Sequence, residues 1–261
     1  MDYELPDGLL VREDGPVRIV ELCRPDRLNV ITAEIHGGLA TVWGQLRRDP
    51  EARAVVLTAQ GPAFSAGGDM AWFERLQHDH DERRRSIHEA ADIVRAMVGF
   101  PLPVVAAVNG AAVGLGCSLA VTSDIVLMAE GSYFMDPHVS IGVVAGDGGA
   151  ALWPWLTSML RAKEYLLTGD PIPAETAVQI GLANRVVAAN KVQDDALALA
   201  HRLARQPARA VSDTKRSLHM HLDHAVGAVL QYALATESEC FLTDEHRERV
   251  AAFRARSERR G

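Results

Sequence analysis

The sequence predicts an α/β fold of βαβ units with a mainly parallel sheet, followed by an all-helical C-terminal region. Three observations predict it. Short apolar runs alternate with helical patterns up to about residue 187, and only helical patterns follow. The 261 residues suffice for one large domain with an appendage, with no need of a disulfide or metal staple. A content of 48% hydrophobic and 23% charged residues is that of an ordinary globular protein and excludes disordered and fibrous classes.

Gly8 to Arg12 and Val17 to Leu22 read as two strands joined by the turn Glu13-Asp14-Gly15-Pro16. Thr32 to Arg48 has helical spacing, with Ile35, Leu39, Val42 and Leu46 on one face. Ala54 to Thr58 and Val104 to Val108 are apolar runs of the kind buried in parallel sheets. Gly61 to Asp69 is a loop, and Asp81 to Met97 is helical. Gly116 to Ser123 is a nearly apolar helix, and Ile125 to Ala129 and Ser132 to Met135 are short strands. Further helices are expected from Gly148 to about Leu167 and over Ala174 to Ile180, Gln193 to Ala204, Ala210 to His221, Asp223 to Ser238 and Thr243 to Arg256. From Ala96 to Ser123, 28 consecutive residues carry no charge, enough to span a bilayer on length alone. Gly99, Pro101, Pro103, Asn109, Gly110, Gly114 and Gly116 interrupt the run, and in lipid those breaks leave backbone groups unsatisfied. It reads instead as a buried strand, a glycine-rich loop and a buried helix.

The formal net charge of −7 argues against nucleic acid as a partner. Only Lys163, Lys191 and Lys215 are lysines, so recognition of anionic groups falls mainly to arginine. Cys23, Cys117 and Cys240 are odd in number and far apart, which fits a reducing compartment. No charged segment followed by an apolar stretch opens the chain, so a cytoplasmic location and no membrane partner are expected. His78-Asp79-His80-Asp81 has metal-ligand residue types, but adjacent residues do not share a face, and no metal is expected there or elsewhere.

Two glycine-containing loops each follow a buried strand and precede a helix: Gly61-Pro-Ala-Phe-Ser-Ala-Gly-Gly-Asp69 and Asn109-Gly-Ala-Ala-Val-Gly-Leu-Gly-Cys117. In an open α/β sheet, ligands bind at such loops. Free N–H groups at helix starts favour negative charge, and two of them converging on one oxygen make an oxyanion hole. Read from the residues alone, the loops serve equally as tight turns with close helix packing.

These residues carry a resemblance. The two loops, Arg24-Pro-Asp-Arg-Leu-Asn29, Ser123-Asp-Ile125, Ala162-Lys-Glu-Tyr-Leu-Leu-Thr-Gly169 and the closing segment from Thr243-Asp244 to Ala252-Phe253 together resemble the enoyl-CoA hydratase/isomerase (crotonase) superfamily, from about residue 10 to 255. Arg247-Glu248 stands where that family usually has Glu-Gly. The resemblance implies a crotonase-like spiral of ββα units over residues 1–200, and a C-terminal helical trimerisation region over 201–261. It implies homotrimers or dimers of trimers. It also implies an acyl-CoA substrate, with coenzyme A entering as part of the substrate and no permanently bound cofactor. By motif position the oxyanion donors are the N–H groups of Gly68 and Leu115, the latter in place of a common glycine. Ala66, Asp69, Trp72, Arg27, Lys215 and Phe253 fall where substrate contacts are expected.

The departures from the family pattern matter more. Its hydratases use two glutamates to place and activate water; this chain has Ser118 at the first position and His138, after Pro137, at the second. A serine alone does not hold and deprotonate water at neutral pH. His138 is followed nine residues on by Asp147, in Gly146-Asp-Gly148, which resembles the 6-oxocamphor (β-diketone) hydrolase subgroup. There a histidine activates water and a C–C bond breaks. The expected pair is thus His138 as base with Asp147 orienting it. The alternatives are a β-dicarbonyl C–C hydrolase without coenzyme A and an inert acyl-CoA-binding protein. Residue by residue, Asp147 also fits a helix N-cap, His138 a structural loop histidine, and Ser118 a passive replacement or the nucleophile of a Ser118–His138–Asp147 triad. Trp153 and Trp155 read as core or pocket wall. Arg24 and Arg75 join Arg27 as candidates for phosphate contacts.

Overall fold

The computed structural model describes residues 2–258, with side chains described to residue 255. The main sheet has six strands: β1 (Leu9–Asp14), β2 (Val17–Leu22), β3 (Ala54–Ala59), β4 (Val104–Val108), β6 (Ile125–Ala129) and β9 (Arg185–Val187), adjacent in that order. Only β1 and β2 pair antiparallel; every other neighbour is parallel. A second sheet of three short strands joins β5 (Ala112–Val113), β7 (Tyr133–Met135) and β8 (Ile172–Pro173).

The apolar runs are continuous because both faces of the main sheet are covered. Val20, Leu22, Val55, Leu57 and Ala106 pack with Leu39, Val42, Trp43 and Leu46 of α1 (Ala33–Arg48). Their alternates Ile19, Val56, Val105 and Leu127 pack with Val192, Ala196 and Ala200 of α8 (Val192–Ala204). The charge-free run becomes β4, β5 and α4 (Leu115–Thr122), whose residues are all buried. Among the described residues no helix is long and apolar enough to cross a membrane.

Helix boundaries differ from expectation in three places. A separate α2 (Met70–His78) precedes α3 (His80–Val98); the Asp69 carboxylate accepts the N–H groups of Ala71 and Trp72 to start it. Asp79 ends α2 and its side chain accepts the Glu82 N–H to start α3, so the His78–Asp81 cluster is a helix junction. The helix expected after Gly148 divides into α5 (Gly149–Leu156) and α6 (Met159–Thr168), with Ser158 capping the second. After α7 (Ala174–Ile180) and α8, the two helices expected between Ala210 and Ser238 are one, α9 (Ala208–Cys240). Nothing between His221 and Asp223 interrupts its backbone bonds, and Leu222 and Val229 pack partly buried against the core beside α3 and α5. Finally, α10 (Asp244–Glu258) lies against α2.

Candidate active site

The two glycine loops are bonded to each other at the carboxyl ends of β3 and β4. Ser65 donates its N–H to the Ala111 carbonyl at 2.9 Å, and Val113 donates to the Ser65 carbonyl at 2.9 Å. Glycine permits the close approach: a Cβ on Gly110 would lie 2.1 Å from the Pro62 carbonyl oxygen. A parallel bridge to Ile31 uses the Gly67 carbonyl and the Asp69 N–H, which leaves the Gly68 N–H directed away from that strand. On the second loop Gly114 adopts φ +53 and α4 starts at Leu115. Ser118 makes the first backbone bond of this helix, to the Gly114 carbonyl, so the Leu115 N–H is among the free first-turn donors.

Gly68 and Leu115 line one cavity of about 320 Å³. Ala66, Trp72, His138, Asp147 and Phe253 line it as well. Four expected contacts do not. Asp69 is spent capping α2. Ser118 lies behind the wall and donates its hydroxyl to Asp147 Oδ1 at 2.9 Å. Arg27 is exposed on the turn Pro25–Arg27. Lys215 is buried on α9, donating to Asp124 Oδ2 at 2.6 Å and the Leu102 carbonyl at 2.8 Å, beside His219 on Asp124 Oδ1. It is a structural cation. Lys215→Met should therefore cost roughly 3 kcal/mol by leaving Asp124 short of its main partner. Thermal unfolding measures this loss, and ligand affinity should not change. Of the further candidates, Arg75 is held by Glu82, Trp153 is fully buried core and Trp155 is exposed beside His221.

His138 stands between two carboxylates. Its Nδ1 is 2.5 Å from Asp136 Oδ1, and its Nε2 is 3.4 Å from Asp147 Oδ2. The carboxylate on Nδ1 is thus Asp136, a residue not singled out from the sequence; its one signal was a carboxylate two positions before a catalytic-slot histidine. Asp147 is not a helix cap, since Gly148 holds that position without a side-chain bond. Nor do Ser118, His138 and Asp147 form a nucleophilic triad: the order is serine to aspartate to histidine, with the hydroxyl committed to Asp147. Burial alone lowers the His138 pKa, but the two carboxylates outweigh it and hold the ring well above the ordinary histidine value. Burial raises the Asp147 pKa, and His138 and Ser118 together bring it below the usual carboxylate range. Asp136, His138 and Asp147 bring three donor atoms within 4.8 Å, a spacing that metals also use. Each ring nitrogen faces a carboxylate in this arrangement. Burial, with both carboxylates nearby, pushes the Cys117 thiol well up, which removes it as a nucleophile.

The cavity holds one more acid that the sequence hid. Glu237 of α9 is 8% exposed, and its Oε2 is buried without a partner. Burial pushes its carboxyl up to about 8, against the opposing pull of His138. It is therefore neutral in the folded protein at pH 7 and ionised in the unfolded chain. Its contribution to stability is present below pH 4.5 and is lost as pH rises towards 8. Glu237→Gln should abolish that loss. Near pH 8 the variant should be more stable than the parent by a few kcal/mol, on the order of the shift itself. Below about pH 4.5 the two should melt alike. Melting temperature against pH measures both.

The sheet, the paired glycine loops and the capping helices define a crotonase-type α/β fold with C-terminal helices. The enoyl-CoA hydratase/isomerase family model matches residues 12–260, and the chain belongs to that family. A solved enoyl-CoA hydratase/isomerase from Mycobacterium paratuberculosis superposes with TM-score 0.94 at 48% identity, covering 96% of this chain and 100% of that one. A β-diketone hydrolase from Anabaena, solved with (S)-3-oxocyclohexyl acetic acid, superposes with TM-score 0.84 at 27% identity, covering 90% and 94%. The short-chain-enoyl-CoA hydratase of Clostridium acetobutylicum is 29% identical over 95% of this chain and 94% of its own length.

Proposed function

We propose that the protein acts on an acyl-CoA thioester. The thioester oxygen is held by the N–H groups of Gly68 and Leu115, and the His138–Asp147 pair handles the proton in place of the two glutamates. What carries this reading is one juxtaposition: two backbone donors on bonded loops face the same cavity as a buried histidine–carboxylate pair. Donors fixed in advance at a developing oxyanion stabilise the enolate without reorganisation. Trp72, Leu76, Ile87 and Phe241 line the cavity and give it an apolar wall suited to an acyl chain. The reaction is then addition or removal of water or a related carbanion step, with coenzyme A as part of the substrate.

A second reading is hydrolysis of a C–C bond in a β-dicarbonyl without coenzyme A. It is favoured by the likeness to the β-diketone hydrolase and by Glu237, a neutral acid in the cavity. Calorimetric titration with coenzyme A separates the two. The acyl-CoA reading expects saturable binding, and no heat at all supports the diketone reading. The exposed Leu218, Met220 and Tyr232 of α9 support self-association of the C-terminal helices into trimers or dimers of trimers. Sedimentation should then find no stable monomer.

A further inference from the structure

A histidine that serves as a base must offer a lone pair to the pocket, and the surroundings of His138 leave none. β7 ends at Met135, and Asp136 and Pro137 lead directly into His138. Asp136 Oδ1 is 2.5 Å from the ring Nδ1 and 3.3 Å from the His138 backbone nitrogen, so one oxygen accepts from both. The carboxylate is 1% exposed. Its other oxygen is pressed against Gly149, where a Cβ would lie only 2.7 Å away, so it has no room to swing off the ring. Nδ1 is therefore an N–H. On the opposite edge Asp147 Oδ2 faces Nε2, and Ser118 pins the other Asp147 oxygen. A ring between two carboxylates keeps both protons. Ring carbon Cε1 stands 3.9 Å from a Cβ position on Gly114, at the turn that precedes Leu115.

We propose that Asp136 is a positioning residue: it locks the Nδ1–H of His138, so the resting ring carries an Nε2–H beside Asp147 at the pocket and enters the reaction as the proton donor. The groups around the ring agree with this assignment. From the segment after β7 it meets Asp136, and from the loop before α5 it meets Asp147. Glu237 of α9 is neutral at pH 7, and Cys117 of α4, near both aspartates, stays a thiol. His36 of α1 also lowers the Asp147 carboxyl slightly.

The step balances on the residues present. The Nε2–H bond breaks and its proton goes to the α-carbon of the bound enolate. The enolate C=C electron pair forms the new C–H bond, and the oxyanion electrons return to the C=O. The ring is left neutral, with Nδ1–H still on Asp136, and Nε2 regains a proton from solvent water. Asp147, still ionised, keeps the ring aligned throughout. The inference rests on the acyl-CoA reading only for which carbon takes the proton.

Nuclear magnetic resonance of the full chain carrying isotope-labelled histidine tests it without a substrate. The His138 signal is the one lost in His138→Gln. The parent should show both ring nitrogens protonated at pH 7, with titration above the ordinary histidine range. In Asp136→Asn the titration should move down, because the carboxylate that raises it is gone. A His138 ring that is neutral at pH 7 in the parent overturns the inference, and so does an unchanged titration in Asp136→Asn. Should that variant not fold, the parent titration decides alone. Coenzyme A binding plays no part in these signals. A protein that passes here but binds no coenzyme A contradicts the acyl-CoA reading and keeps the proton donor.

Discussion

His138→Ala should lower turnover of an acyl-CoA thioester by ~10²–10⁴-fold, the range expected for losing a positioned proton-transfer group. Binding should survive, because the loops that carry Gly68 and Leu115 are bonded to each other and not to the imidazole. The variant also leaves Asp136 and Asp147 facing each other in a buried space with no cation between them. Their mutual repulsion should raise at least one carboxyl pKa and lower stability at neutral pH while sparing it in acid. Steady-state kinetics together with calorimetric binding separates the two effects. Loss of both turnover and affinity would mean that His138 holds the ligand, and unchanged turnover would remove it from the chemistry.

Leu115→Pro should cost ~10²–10³-fold in turnover by deleting one oxyanion donor. The substitution is unusually clean. Leu115 is the first residue of α4, where proline is tolerated because the N–H has no intrahelical partner to lose. Gly114 before it, at φ +53, has no Cβ to clash with the new ring. Leu115→Ala keeps the N–H and serves as the control: it should widen the acyl cavity and alter chain-length preference with far less effect on the chemical step. Equal losses in the two variants would show that the side chain, not the donor, matters at this position.

The sequence exposed some of this site and hid the rest for identifiable reasons. β3 and β4 were legible because strands covered on both faces read as continuous apolar runs, and the glycine loops were legible because only glycine permits their approach. The break expected within α9 is absent because short helical segments read from spacing carry no information on whether the backbone continues through Leu222. His138 stood out by occupying a known slot. Asp136 was hidden by its ordinary position in a strand–loop, since nothing local reveals that its carboxylate turns inward. Glu237 was hidden more deeply. It lies in Glu-Ser-Glu on a helix whose burial there depends on packing against the Gly146 loop, more than ninety residues away in the chain. Lys215 was placed by motif position, and tertiary pairing with Asp124 withdrew it from any ligand.

Proton exchange at the α-carbon of a saturated acyl-CoA thioester in deuterated water, followed by proton magnetic resonance, probes the oxyanion hole and the His138 proton at once. A working site must form the enolate at Gly68 and Leu115 and return a deuteron to the same carbon. Exchange runs the donor step in reverse: the ring that has given up its Nε2 proton takes the α-hydrogen and hands back a deuteron, so exchange by the parent should rise with pH. It should be lost in His138→Ala and strongly reduced in Leu115→Pro. A protein that binds the thioester but leaves its α-hydrogens unexchanged at every pH would contradict the account.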